Sequence, residues 1–167
     1  MIIKSPNDPL AAIKSAKIKE FLDFAKELNT YIKLGFGYRK DLVNVDKNST
    51  TISVNIRKIQ LYLRYKPKNY PPNCLVVARI AFAEKRNGRG RDFFNFLVGV
   101  SDRYDLEYVA IESANESSGA FARKYGFSQL SEDDNRTFSC SVPSLRRTIS
   151  CDIVRPDFEC ASTSERK

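Results

Sequence analysis

Six residues, Lys85, Arg86, Asn87, Gly88, Arg89 and Gly90, separate two stretches of different hydrophobic character. Before them, residues 74–82 (CLVVARIAF) are apolar and β-branched enough for a buried strand. After them, Phe93, Phe94, Leu97, Val98 and Val100 recur at helical spacing. A strand, a basic glycine-containing turn and a helix in that order make a local cradle for an anion. The first N–H groups of a helix lack intrahelical partners and carry partial positive charge, and glycine lets the backbone come close. Here Lys85, Arg86, Arg89 and Arg91 add charge of their own.

The rest of the chain reads as one α/β domain over 1–154. Asn7, Asp8 and Pro9 mark a helix start, and Leu10, Ile13, Ala16, Ile18, Phe21, Leu22, Ala25, Leu28 and Ile32 follow at near-helical spacing as far as Gly35–Gly37. Lys14, Lys17, Lys19 and Lys26 take the other face. Residues 51–56 and 59–65 alternate as two strands of a tight hairpin, and 66–73, with three prolines, must be a loop. Strands at 74–82 and 107–112 and helices at 90–102 and 116–125 come next. Residues 137–142 and 148–154 are expected as final strands, and 155–167 as a loose polar tail.

Composition removes several functions. There is no histidine, which excludes cysteine–histidine and serine–histidine nucleophiles. Cys74, Cys140, Cys151 and Cys160 have no zinc spacing, so no metal is expected, and Cys74 heads a buried strand. No apolar run approaches a membrane span, and the start lacks a signal peptide's apolar stretch, which predicts a cytoplasmic protein. The net charge of +8 suits polyanions: a nucleic acid, a nucleoprotein or a phosphate-rich cofactor. The turn lacks the Lys-Ser/Thr ending of a P-loop, and one Gly-x-Gly is not a dinucleotide fingerprint.

A second segment gives the cradle its context. Residues 115–127 (NESSGAFARKYGF) follow a short strand, 108–112. Together the two segments resemble the GCN5-related N-acetyltransferase superfamily, which reads Arg/Gln-x-x-Gly-x-Gly/Ala after one strand and Asn-x-x-Ala-x-x-Phe-Tyr-x-x-x-Gly-Phe after the next. Lys85, Gly88 and Gly90 match the first pattern, with lysine for Arg or Gln; Asn115, Ser118, Phe121, Gly126 and Phe127 match the second, with serine for alanine. The resemblance spans about residues 74–128.

It implies a mixed, mostly antiparallel sheet flanked by helices, the architecture of acyl-CoA N-acyltransferases, with acetyl-CoA as acyl donor to an acceptor amine. Backbone N–H groups from Asn87 to Arg91 would hold the pyrophosphate. Main-chain groups of Ile80, Ala81 and Phe82 would pair with the pantetheine, beside Asn115, Ser118 and Phe121. The early helices and their connecting loop would wall the acceptor cleft, and many members are dimers. Where many members carry a tyrosine after the phenylalanine, this chain has Ala122. That leaves Tyr125, another group or water to protonate the leaving thiolate. Glu112, at the end of the strand lining the cleft, is the preferred base, and Glu84, in the turn after the neighbouring strand, is the other candidate. Tyr62, Tyr65 and Tyr70 are candidates to stack on the acceptor. The basic charge favours a protein, an aminoacyl-tRNA or another nucleic-acid-associated amine. The competing reading is a non-catalytic protein of the same fold that binds nucleic acid or a partner protein.

Overall fold

The computed structural model describes residues 8–154. Its N-terminal helix α1 (Pro9–Phe36) starts as the sequence requires. The Asp8 carboxylate accepts the Leu10 N–H at 3.0 Å, and proline occupies the first turn. It ends at Gly37, which takes the left-handed conformation (φ 74°) and donates its N–H to Lys33 O. The helix read from the spacing as far as Gly35–Gly37 is continuous for 28 residues, so the early helices with a connecting loop that the resemblance implied are here a single helix. Its packed stripe also begins later than the spacing suggests. Phe21, Phe24, Ala25, Leu28, Ile32 and Phe36 are buried, while Leu10 and Ile13 project into solvent.

Seven strands form one sheet: β1 (Asn44–Asp46), β2 (Thr51–Asn55), β3 (Ile59–Tyr65), β4 (Cys74–Phe82), β5 (Tyr108–Ile111), β6 (Ser128–Ser131) and β7 (Asp134–Ser141). Their spatial order is β1-β2-β3-β4-β5-β7-β6, and among the described residues only the β4–β5 pair is parallel. Parallel neighbours need a long crossover, here supplied by α2 (Arg89–Val100). Strands β1 and β6 escape a pattern reading because every residue in them is exposed.

One face of the sheet carries all four helices, including α3 (Glu116–Lys124) and α4 (Val142–Val154). Strand β3 supplies Ile59, Leu61, Leu63 and Tyr65 to this core and turns Gln60, Tyr62 and Arg64 outward, a strict period of two. Aromatic contacts tie the helices together. Tyr31 of α1 stacks on Phe96 of α2 at 4.3 Å between centroids, and Phe94 of α2 meets Phe121 of α3 at 4.8 Å. The opposite face has a small cluster, Cys74, Val76 and Ala110 with Tyr70 and Tyr108, and also carries Gln60, Tyr62 and Arg64 of β3.

Strand β4 contains a bulge. Leu63 pairs with Val77 and Tyr62 with Arg79, so Ala78 is an extra residue. The insertion reverses the alternation. Leu75 and Val77 point into the main core before it, and Ile80 and Phe82 do so after it.

Residues 148–154, expected as a strand, belong instead to α4. Their β-branched content suggested extended structure, but Leu145 and Ile149 lie four apart and are both buried on one helical face. The loose tail expected over 155–167, and with it Cys160, lies outside the described residues; Cys74, Cys140 and Cys151 are free thiols. No described helix is long and apolar enough to cross a membrane.

Replacing Ile149 by alanine should destabilise the protein by about 3 kcal/mol in urea unfolding. The same change at the exposed neighbour Ser150 should stay within about 0.5 kcal/mol.

Candidate functional site

The parallel ladder stops before β4 does. Its last pair is Val77 with Ile111, and its last bond is Glu112 N–H to Val77 O, at 3.0 Å. Beyond it β4 continues for Ala78–Phe82, still paired with β3 on its other side. Ala83 N–H donates to Lys58 O, which fixes the direction of the main chain here. Residues of odd number face β3, so by alternation the N–H and C=O groups of Ile80 and Phe82 face the open side. Ala81 faces β3 through its main chain and leaves its methyl exposed on the sheet surface.

The opening has an identifiable cause. After Ile111 the chain turns through Ser113, at φ 50°, and follows β7 instead of β4. Ala114 N–H donates to Arg136 O at 2.7 Å, and the Arg136 guanidinium returns bonds to Ala114 O and Ser113 O. Three bonds from one residue of β7 therefore draw the end of β5 aside.

At the far end of the open edge lies the basic turn. Gly88 is left-handed (φ 71°), and Arg86 also has positive φ (62°). Asp92 N–H makes the first intrahelical bond of α2, to Gly88 O, and no side chain caps the helix among the described residues. The N–H groups of Gly88, Arg89, Gly90 and Arg91 are thus free of helical partners. Gly90 lies flat against Phe121, whose ring edge is 3.5 Å from where a Cβ would stand.

The side chains of this turn divide into two groups. Lys85 and Arg86 are exposed and unpaired among the described residues, whereas Asn87 donates to Glu84 at 3.1 Å. Arg89 turns back to α1, donating to Gly35 O at 3.3 Å with its guanidinium 4.7 Å above the Phe36 ring. Arg91 reaches Asp152 of α4 at 3.5 Å.

The Asn115–Ser118 pair is a reciprocal cap on α3. The Asn115 side chain accepts Ser118 N–H, and the Ser118 hydroxyl accepts Asn115 N–H, each at 2.9 Å. The amide nitrogen of Asn115 is left over for another acceptor. Phe121 sits between Phe94 and Tyr125.

Glu112 is half-buried on the face opposite the helices, with Arg64 at 3.4 Å. Tyr70 lies against it: burial, then the charge and hydrogen bonding of Glu112, push the Tyr70 hydroxyl up to about 12. Arg64 carried no signal in the sequence beyond its outward place on an alternating strand. Glu84 is exposed on the basic turn. Tyr65 is a core residue, donating to Glu20 at 2.5 Å, and so cannot stack on an acceptor.

Tyr125 is buried between α3 and α4 and donates to Asp152 at 2.6 Å. Burial and then that carboxylate raise its pKa. Asp152 is held below the usual carboxylate range by the Tyr125 bond and by Lys124 and Arg91, against the effect of burial. Ala122 is fully buried, so the position leaves no room for a tyrosine.

No protein-family profile and no curated protein matches this chain. Among solved structures it is similar to AtaTR bound with AcCoA, at 16% identity and a TM-score of 0.44, covering 58% of this chain and 68% of that one. It is similar to the KacTA–DNA complex at 17% and 0.44, covering 76% and 86%, and to AtaT complexed with acetyl-methionyl-tRNAfMet at 13% and 0.41, covering 58% and 72%. Each likeness is partial and too distant to carry chemistry across.

Asp152→Ala should cost about 2 kcal/mol at pH 7, by stranding Tyr125, Arg91 and Lys124. The folded-state pKa of Asp152 is depressed, so its contribution is present above the unfolded value of about 3.9 and lost as pH falls through the folded one. The stability gap between the two proteins, measured by urea titration, should therefore narrow below pH 4.

Proposed function

We infer that the chain is an acetyl-CoA-dependent N-acetyltransferase that moves an acetyl group directly onto an acceptor amine. One observation carries the reading: β4 runs past β5 for Ala78–Phe82, and its open edge leads to the uncapped start of α2. An extended chain bearing amides can lie along that edge as an added strand, bonded to the outward groups of Ile80 and Phe82. A pyrophosphate at the end of such a chain meets the free N–H groups of Gly88–Arg91, with Lys85 and Arg86 close in sequence to add charge. Coenzyme A has that composition, and acetyl-CoA would supply the acetyl thioester.

The remaining roles fall to particular side chains. Gly90, with no side chain of its own, would bring the helix start close to the phosphates while resting against the Phe121 ring. Asn115 offers its spare amide hydrogens to the pantetheine, Ser118 fixes the Asn115 rotamer, and Phe121 packs beside the arm. Glu112, oriented by Arg64 and Tyr70, accepts the proton of the attacking amine, directly or through one water. Tyr125 is a poor acid here because the Asp152 carboxylate opposes loss of its proton; the reading gives it the task of holding Phe121 in place. The leaving thiolate then takes its proton from water.

The thermal midpoint of the purified protein should rise with acetyl-CoA in a concentration-dependent way. Gly90→Glu should abolish the rise, because a carboxylate at the helix start competes with the phosphates. No rise at millimolar acetyl-CoA would sink this reading.

Once an acceptor amine is identified, Glu112→Gln should lower kcat by about a hundredfold with acetyl-CoA binding intact. An unchanged kcat would remove Glu112 as the base.

A further inference from the structure

The charge of this protein is concentrated. Segments 35–40, 55–60 and 82–90 together hold seven lysines and arginines against the single carboxylate Glu84. They account for six of the net charge of +8. The fold brings these segments to one cavity of about 500 Å³, between the end of α1, the β2–β3 turn and the end of β4. Its walls combine Arg57, Lys58 and Arg89 with the rings of Phe36, Tyr38 and Phe82, and with one carboxylate, Glu84.

Lys58 and Arg89 are held there by the C-terminus of α1. Lys58 donates to Phe36 O at 2.9 Å and lies 5.4 Å from the Tyr38 ring centre; Arg89 donates to Gly35 O. Each bond uses one of several N–H groups and keeps the cation in place. Arg57 is exposed and has no ion-pair partner among the described residues.

Around the β2–β3 turn the surface continues onto the uncovered face of the sheet. A second depression of about 300 Å³ is lined by Ser53, Asn55, Gln60, Tyr62, Ala78 and Arg79. Asn55 and Gln60 are cross-strand partners next to the turn that carries Arg57 and Lys58, so the two concavities adjoin. Tyr62 is 37% exposed on a strand whose other exposed residues are polar. Its cross-strand neighbour Arg79 is exposed and unpaired among the described residues. The lining of the second depression includes Ala78, the first residue of β4 beyond the β4–β5 ladder.

We propose that these two concavities form a track for single-stranded nucleic acid, with phosphates on Arg57, Lys58 and Arg79 and an unstacked base on Tyr62. Cations interleaved with an accessible aromatic ring are what a single strand needs, since its bases are free to stack and its backbone is free to bend. A duplex offers no free base face to Tyr62. Because the track includes Ala78, at the start of the open edge, its occupant would present the acceptor amine there. That last step rests on the acetyltransferase reading; the binding does not.

The test is fluorescence anisotropy with a labelled single-stranded RNA about 12 nucleotides long, at several salt concentrations. Tyr62→Ala should weaken binding about tenfold, and Tyr62→Phe should leave it intact. Arg57→Ala and Arg79→Ala should each reduce the slope of log affinity against log salt by about 0.7. All four variants should keep the wild-type midpoint and the acetyl-CoA-induced rise. Equal affinity for polyglutamate, or binding indifferent to Tyr62→Ala and Arg79→Ala, would overturn the proposal in favour of an acidic protein partner. An acetyl-CoA response without RNA binding would leave the enzyme reading and remove the track; RNA binding without that response would do the reverse.

Discussion

The early end of the β4–β5 ladder is the constraint on which the rest of the site depends. The ladder runs only as far as its shorter strand, which ends at Ile111, while β4 goes on to Phe82. Here Arg136 and the turn at Ser113 commit the end of β5 to β7. Strand β4 meanwhile continues alone on that side to the start of α2. The bulge at Ala78 adjusts β4 to this geometry. It reverses the side-chain alternation so that Ile80 and Phe82 still reach the core while their main-chain groups face the opening.

A second feature acts on the same end of the molecule. The C-terminus of α1, with its partial negative charge, lies beside the turn that leads into α2, whose start is partially positive. Arg89 bridges the two by binding Gly35 O, and Lys58 of the β2–β3 turn binds Phe36 O beside it. Their charge is thereby offset locally without a carboxylate, so the region stays positive overall. That is why a chain of ordinary charge content has one strongly basic end.

Much of the architecture was legible in residue order. The hairpin at β2–β3, the strand–turn–helix at β4–α2 and the cap of α3 all rest on short-range physics: period-two alternation, glycine conformations and an Asn-x-x-Ser spacing. The failures share a cause. Strands β1 and β6 have no buried face to impose a pattern, and α4 is built from β-branched residues whose helical register is set by packing of Leu145 and Ile149. The outward Leu10 and Ile13 satisfied the helical period, yet the rest of the fold does not extend far enough to cover them.

The same division holds at the site. Residue order alone dictates the free N–H groups and glycines of the turn at 85–90, because helix starts and left-handed turns are local. Composition likewise dictates the absence of histidine chemistry and the excess of positive charge. Which cations remain available is settled by long-range packing. Arg89 is drawn to α1 and Arg91 to Asp152, while Lys85 and Arg86 stay free among the described residues. The same packing places Arg64 and Tyr70 against Glu112, seals Tyr65 and Tyr125 behind carboxylates, and leaves Tyr62 on an open face. Each of these outcomes depends on which residues distant in sequence come within about 4 Å, and no local rule contains that distance.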